Sequence, residues 1–215
     1  MSTQPILNIA DMSIVFSSPD EADIEAVRQV DLTLTPGKTL ALVGESGCGK
    51  SVTARAILRL LDSNARLPRG RIDFAPEGQK PIDIAQLRPD SLMLRAIRGK
   101  QIAMIFQEPM SSLSPVHTIG DQIDEMSMLH EGLNPKQARE RTVALLDKVG
   151  VPGARERARA YPFELSGGLR QRAMIAMALA CTPQVLIADE PTTALDVTIQ
   201  AQILDLLRQL QADFG

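Results

Sequence analysis

Gly44-Glu45-Ser46-Gly47-Cys48-Gly49-Lys50-Ser51 is a complete G-x-x-x-x-G-K-[ST] string, and its reading decides the fold. The glycines at 44, 47 and 49 admit backbone conformations closed to other residues, so successive N–H groups can turn toward one anion. Lys50 can then reach the outer phosphates of a nucleotide, and Ser51 has the hydroxyl that such sites use on Mg²⁺. Ser51 also opens a helix whose positive end faces the same phosphates. The flanks supply the context this requires. Pro36-Gly37 makes a turn, and Thr39-Leu40-Ala41-Leu42-Val43 is the short apolar run expected of a strand buried on both faces. Residues 52–61, with apolar side chains at 57, 58, 60 and 61, follow as a helix. Strand, glycine loop and helix in that order make a ligand-free glycine turn the poorer explanation.

At 215 residues the chain can be one large domain or two small lobes, and 44% hydrophobic with 23% charged residues is ordinary globular composition. Its longest apolar run, 173–181, falls well short of the roughly 20 residues that a bilayer crossing needs. The N-terminus carries neither a basic region nor a hydrophobic segment, so no export signal is expected. Two cysteines, Cys48 and Cys181, do not make a disulfide framework and fit a reducing compartment. A net charge of −3, 3% aromatics and no Trp give neither a phosphate-attracting field nor platforms for stacked bases, so nucleic acid is not an expected partner.

Upstream of the cradle, residues 6–16 and 27–35 alternate (Ile6, Ile14, Phe16; Val30, Leu32, Leu34) and predict an antiparallel β lobe, while 71–84 suggest a hairpin or irregular edge. Downstream, the apolar run 102–106 predicts a strand ending at Gln107-Glu108-Pro109, and strand tips are where open α/β sheets keep ligands. From 118 to 161 the β character disappears. Apolar residues at 119, 123, 126 and 129 predict one helix, and Asn134-Pro135 caps a second that runs to Val149 and stops at Gly150. Met110, Met126 and Met128 could form an adaptable groove, although filling core gaps is the commoner use of methionine.

Ser166 is placed as an N-cap, with Gly167-Gly168 leaving the following helix start bare for a second anion. Thr182-Pro183 ends that helix, 185–188 predict a last buried strand, and Asp189-Glu190 stand at its tip. A final helix over 197–212 has an apolar face at 199, 203, 206, 207 and 210.

An acidic pair after a strand is as often a surface feature as a functional one, and the cradle upstream decides between them. Asp189 is expected to hold Mg²⁺ and Glu190 to orient or deprotonate a water. Gln107 can complete the metal shell or position the water, but an amide cannot be the base. Two phosphate-binding helix starts for one triphosphate point to a two-fold dimer, each nucleotide lying between the cradle of one subunit and the Ser166-Gly167-Gly168 turn of the other.

With these residues in place the chain resembles the nucleotide-binding subunit of an ABC transporter over essentially its whole length. Leu165-Ser166-Gly167-Gly168 matches the family signature, Gln107 its Q-loop, 185–190 its Walker B strand with the catalytic Glu, and Ala194-Leu195-Asp196 its D-loop. The resemblance implies an α/β P-loop NTPase (RecA-like) core with a parallel sheet, an N-terminal antiparallel β lobe and a helical subdomain. The core would span 1–109 and 163–215, and the helical subdomain 110–162.

The resemblance also implies ATP and Mg²⁺ as cofactors. Nucleotide contacts fall on Gly44, Glu45, Ser46, Gly47, Cys48, Gly49, Lys50, Ser51 and Val52, with Phe16 against the adenine and Ser166, Gly167 and Gly168 reaching across the dimer. Metal contacts fall on Ser51, Gln107 and Asp189, and catalysis on Glu190 and Gln107. The runs from 44, 107 and 190 are similar to those of dipeptide/oligopeptide importer ATPases, a branch that also takes microcin, glutathione, opine or nickel. Expected partners are membrane permease subunits, a second ABC ATPase subunit and, indirectly, an extracytoplasmic solute-binding protein. The expected location is peripheral, on the cytoplasmic face of the inner membrane.

A soluble ABC ATPase of DNA repair or translation would instead require a long coiled-coil insertion or a basic face. A regulatory nucleotide-binding module without turnover is the third reading. Leu169 departs from the Gln commonest after the signature glycines. The family's switch His lies beyond its D-loop, and His117 and His130 both precede the acidic strand, so neither is that residue. The expectation is a chain truncated before the switch, which binds nucleotide but hydrolyses it slowly.

Overall fold

The alternating segments at the N-terminus fold as strands whose pairing the alternation foreshadows. In the computed structural model, which describes residues 4–18, 22–108, 112–193 and 195–214, β1 (Leu7–Phe16) lies between β2 (Ile24–Leu34) and β3 (Ala65–Phe74), antiparallel to both. The short β4 (Ile82–Asp83) extends the sheet, so its order is β2-β1-β3-β4. Ile9, Met12, Ile14, Ile72 and Phe74 are fully buried, the inward side chains that a half-buried sheet requires. The region read as a hairpin or irregular edge is the β3–β4 pair, in register Phe74↔Ile82. Asp83 fixes its exit by accepting hydrogen bonds from the backbone N–H groups of Ile72 (3.2 Å) and Ala85 (3.0 Å).

These strands belong to the first of two compact units, Met1–Arg98. The same unit contains α1 (Lys50–Ile57) and α2 (Leu92–Ile97), the latter capped by the Ser91 hydroxyl on Leu94 N–H. Arg98 donates to the carbonyls of Leu58 (2.8 Å), Arg59 (2.8 Å) and Pro89 (3.1 Å), so one guanidinium satisfies carbonyls left over at the end of α1. Burial, then the charges of Arg59 and Arg95, lower its pKa.

One expectation fails here. Residues 39–43 were to form a strand buried on both faces, but they adopt no strand and pair with none in the four-stranded sheet of their unit. Leu40, Leu42 and Val43 are 47%, 41% and 93% exposed. Apolar composition alone does not make a strand: it signals burial, and these side chains are left largely exposed.

The second unit, Gly99–Gly215, is built on β5 (Ile102–Ile105) and β6 (Val185–Ala188), parallel and in register from Ile102↔Val185 to Ile105↔Ala188. β5 is buried throughout. β6 was expected to be equally buried, yet only Val185 is, and exposure increases toward Ala188. A two-stranded ladder covers one edge of β6 and leaves the other open within this unit.

The helices follow the sequence closely. α3 (Ile119–Glu131) starts at the Thr118 cap, and α4 (Pro135–Lys148) starts at a full Asn134/Gln137 capping box, the two joined by Gly132 at φ 69. Inside this hairpin the buried Asp124 accepts from Thr142 Oγ1 (2.5 Å) and Arg139 Nε (2.7 Å), while Arg139 also donates to Asp121 (2.7 Å). Burial by itself would lower the Arg139 pKa; the hydrogen bonds and charges of the two aspartates outweigh it and raise the pKa. A short α5 (Ala154–Arg157), α6 (Gly167–Ala178) and α7 (Val197–Phe214) complete the unit. Ile123, Leu146, Ile175, Ile203 and Leu210 contribute to its single core. Met126 packs against that core, in keeping with the commoner use of methionine, whereas Met110 lies outside the described residues. Among the described residues no helix is long and apolar enough to cross a membrane.

Candidate functional site

The glycine string forms a turn and bend that runs directly into α1. Gly49 is the N-cap of α1 at φ 92, and no side chain caps the helix. A Cβ at position 49 would stand 2.7 Å from the Ala26 carbonyl oxygen on β2, so both conformation and space restrict the position to glycine. Lys50 arches back over its own loop, its ammonium donating to the carbonyls of Gly44 (2.9 Å) and Glu45 (2.8 Å). The Cys48 sulfur lies 3.8 Å from the same nitrogen and is exposed. Residues 44–48 are exposed while Gly49, Lys50, Ser51 and Val52 are half-buried and Thr53 is buried, so the loop faces outward from a helix anchored by its first turn. A helix start without a side-chain cap, glycines at 44, 47 and 49 and one ammonium make this loop a candidate anion site.

Phe16 belongs to the same unit. It is half-buried at the last position of β1 and pairs with Ile24, two residues before the Ala26 carbonyl that Gly49 abuts. Two residues of strand are about 7 Å, so Phe16 lies at the end of the sheet that supports the cradle.

In the second unit β6 delivers Asp189 and Glu190 beyond its tip. Asp189 is 5% exposed, and its backbone N–H continues the ladder onto the Ile105 carbonyl (2.9 Å). Glu190 then leaves strand geometry at φ 45, a left-handed conformation that is costly for a residue with a Cβ and is concentrated at functional sites. Its carboxylate oxygen Oε2 accepts two hydrogen bonds at 2.9 Å, from Gln107 Nε2 beyond the tip of β5 and from Thr193 Oγ1. Gln107 was expected to serve a metal or a water, and here it holds the neighbouring carboxylate. Thr193 was missed by sequence reading. The signal was Pro191, the residue type that favours the second position of a β-turn and so brings the fourth residue back over the first.

Ser166 is the N-cap of α6, accepting from Leu169 N–H at 3.4 Å. A Cβ on Gly167 would lie 3.7 Å from Leu195 and one on Gly168 3.2 Å from Ile199, so the helix start packs tightly against the segment entering α7. Asp196 caps α7 on Ile199 N–H (3.0 Å), whereas Ala194 lies outside the described residues. Cys181 accompanies none of this chemistry: it is buried and donates to the Met126 carbonyl (3.5 Å), and burial pushes its thiol up to about 11.

Each unit, taken by itself, carries a hard oxygen of the kind a hard cation takes, the Ser51 hydroxyl in the first and the Asp189 carboxylate in the second. No group of three His, Cys, Asp or Glu side chains able to hold a metal occurs among the described residues. That donor chemistry suits Mg²⁺, which binds through one or two carboxylates, water and substrate phosphates, better than an ion needing an all-protein cage.

A family profile described as "ABC transporter" matches residues 27–193. A peptide import ATP-binding protein of Brucella ovis is 54% identical over 216 residues, covering 100% of this chain and 63% of the relative. The oligopeptide transport ATP-binding protein OppD of Salmonella typhimurium is 47% identical over 210 residues, covering 98% and 60%. The chain thus spans less than two thirds of the length of these curated relatives. Among solved structures, a dimeric ATP-binding cassette in a post-hydrolysis state, bound to ADP and Pi, matches with a TM-score of 0.82 at 26% identity, covering 97% of this chain and 84% of that one. The antiparallel lobe, the parallel strands and the helices are those of a P-loop NTPase of the α/β class.

Proposed function

Because the chain belongs to the ABC transporter family, we propose that it is the ATP-binding and ATP-hydrolysing motor of an importer for peptides or related small solutes. The observation that supports this reading is the cradle: a helix start without a side-chain cap, below a loop over which Lys50 already holds its ammonium. In this reading Gly44 to Val52 bind the phosphates, Lys50 neutralises the outer ones, and Phe16 offers a ring face to the adenine. Ser51, Asp189 and Gln107 would hold Mg²⁺, which would offset the negative charge that builds up on the phosphates. Glu190 orients a water and takes its proton. Ser166, Gly167 and Gly168 serve the nucleotide of a second, identical or homologous subunit. Permease subunits couple the cycle to solute passage, with a solute-binding protein on the far side, and the chain sits peripherally on the cytoplasmic face of the membrane.

The relatives support the peptide branch through what they are named for. The test is co-purification with membrane permease subunits from the source cell and reconstitution of the complex in vesicles. ATP-dependent peptide uptake that stops when the Glu190→Gln variant is used supports the reading; no association with a permease overturns the importer role while leaving nucleotide binding intact.

The exposed sulfur 3.8 Å from the Lys50 ammonium gives a second, independent check on the cradle. Alkylation of Cys48 is expected to block nucleotide binding, and saturating MgATP to slow the alkylation by at least about tenfold, since a bound phosphate chain covers the loop. Labelling rates by mass spectrometry that are equal with and without nucleotide would show that the loop does not receive phosphate.

A further inference from the structure

The turn after β6 does more than end the strand. Glu190 accepts at its carbonyl from Thr193 N–H (3.1 Å), closing a four-residue turn with Pro191 in second place. The same turn carries the Thr193 hydroxyl back onto the Glu190 carboxylate, so one residue binds both the main chain and the side chain of Glu190. A carboxylate only accepts, so Thr193 Oγ1 and Gln107 Nε2 are both donors, and both converge on Oε2. Among the described residues no hydrogen bond reaches Oε1.

We propose that Thr193 is a positioning residue for ATP hydrolysis, anchoring Oε2 of Glu190 so that Oε1 is presented to the attacking water. The inference rests on the reading of Glu190 as the group that activates that water. The two anchors differ in kind. Gln107 lies 83 positions away and contacts Glu190 through tertiary structure alone. Thr193 is three residues away and fastened to the same turn, so its hold does not depend on the strand tip that carries Gln107. The left-handed backbone at Glu190 turns the side chain out of strand direction, and the anchor offsets the rotamer freedom gained by leaving the packed sheet.

The test compares Thr193→Val, which keeps shape and removes the donor, with Thr193→Ser, which keeps the donor, by steady-state hydrolysis and MgATP binding on the full chain. Thr193→Val is expected to lower kcat about tenfold, the size of one ordinary hydrogen bond, with KM and nucleotide Kd within about twofold of the parent. Thr193→Ser is expected to restore kcat. Combining Thr193→Val with Glu190→Gln is expected to cost nothing beyond Glu190→Gln alone, because Thr193 acts only through that carboxylate. Parental kcat in Thr193→Val, a parallel loss of binding and turnover, or an additive loss in the double variant each overturns the proposal. Parental turnover in Glu190→Gln would instead overturn the reading of Glu190 on which it rests.

Discussion

Lys50→Ala is expected to weaken MgATP binding about a hundredfold, the upper end of what a hydrogen bond to a charged group contributes. The triphosphate would lose the ammonium that balances it, and the remaining cradle groups are backbone N–H donors with partial charges only. The ammonium also bridges the carbonyls of Gly44 and Glu45, so the variant loosens the loop as well. Thermal unfolding without nucleotide separates the two effects: a midpoint near the parent's, with affinity lost, assigns the loss to the phosphate contact. Titration calorimetry or a fluorescent nucleotide analogue reads the affinity directly. Parental affinity would remove the cradle assignment and every role built upon it.

Glu190→Gln is expected to reduce turnover by roughly 10²–10⁴-fold, the contribution of a positioned general base, while leaving nucleotide affinity intact. The substitution is close to isosteric, and its amide oxygen can still accept from Gln107 and Thr193. What it cannot do is take a proton. Quenched single-turnover reactions should therefore recover unhydrolysed ATP from the variant and ADP from the parent. A rate of chemistry equal to the parent's would move the base elsewhere.

What could be read in advance follows from which interactions are local. Asn134-Pro135 and Ser166 act within three residues of where they stand, so the starts of α4 and α6 were legible, while α3 was legible from its apolar spacing and its Thr118 cap was not read. The glycine loop was legible because its chemistry is written in consecutive residues. The state of 39–43 was not: an apolar run signals a buried strand only if another strand comes to pair with it, and pairing is a tertiary fact. The Gln107–Glu190 contact was half legible. Both residues were placed at strand tips, but the parallel register that carries β5 and β6 to the same level was needed to bring them to 2.9 Å. Thr193 was overlooked because an exposed threonine in a turn looks like solubilising surface until the carboxylate it holds is seen.

The ion network inside the α3–α4 hairpin has a mechanical meaning. Arg139 and Thr142 fasten α4 to Asp124 at mid-length, Arg139 reaches on to Asp121, and the capping box locks the connecting turn. Helices tied at their middle and at their joint cannot slide or splay independently, and close-packed interiors compress little. The hairpin therefore behaves as a stiff lever of roughly 20 Å, thirteen or so residues at helical rise. The chain leaves the hairpin through Gly150, whose φ of 76 lets it turn sharply away from the second helix.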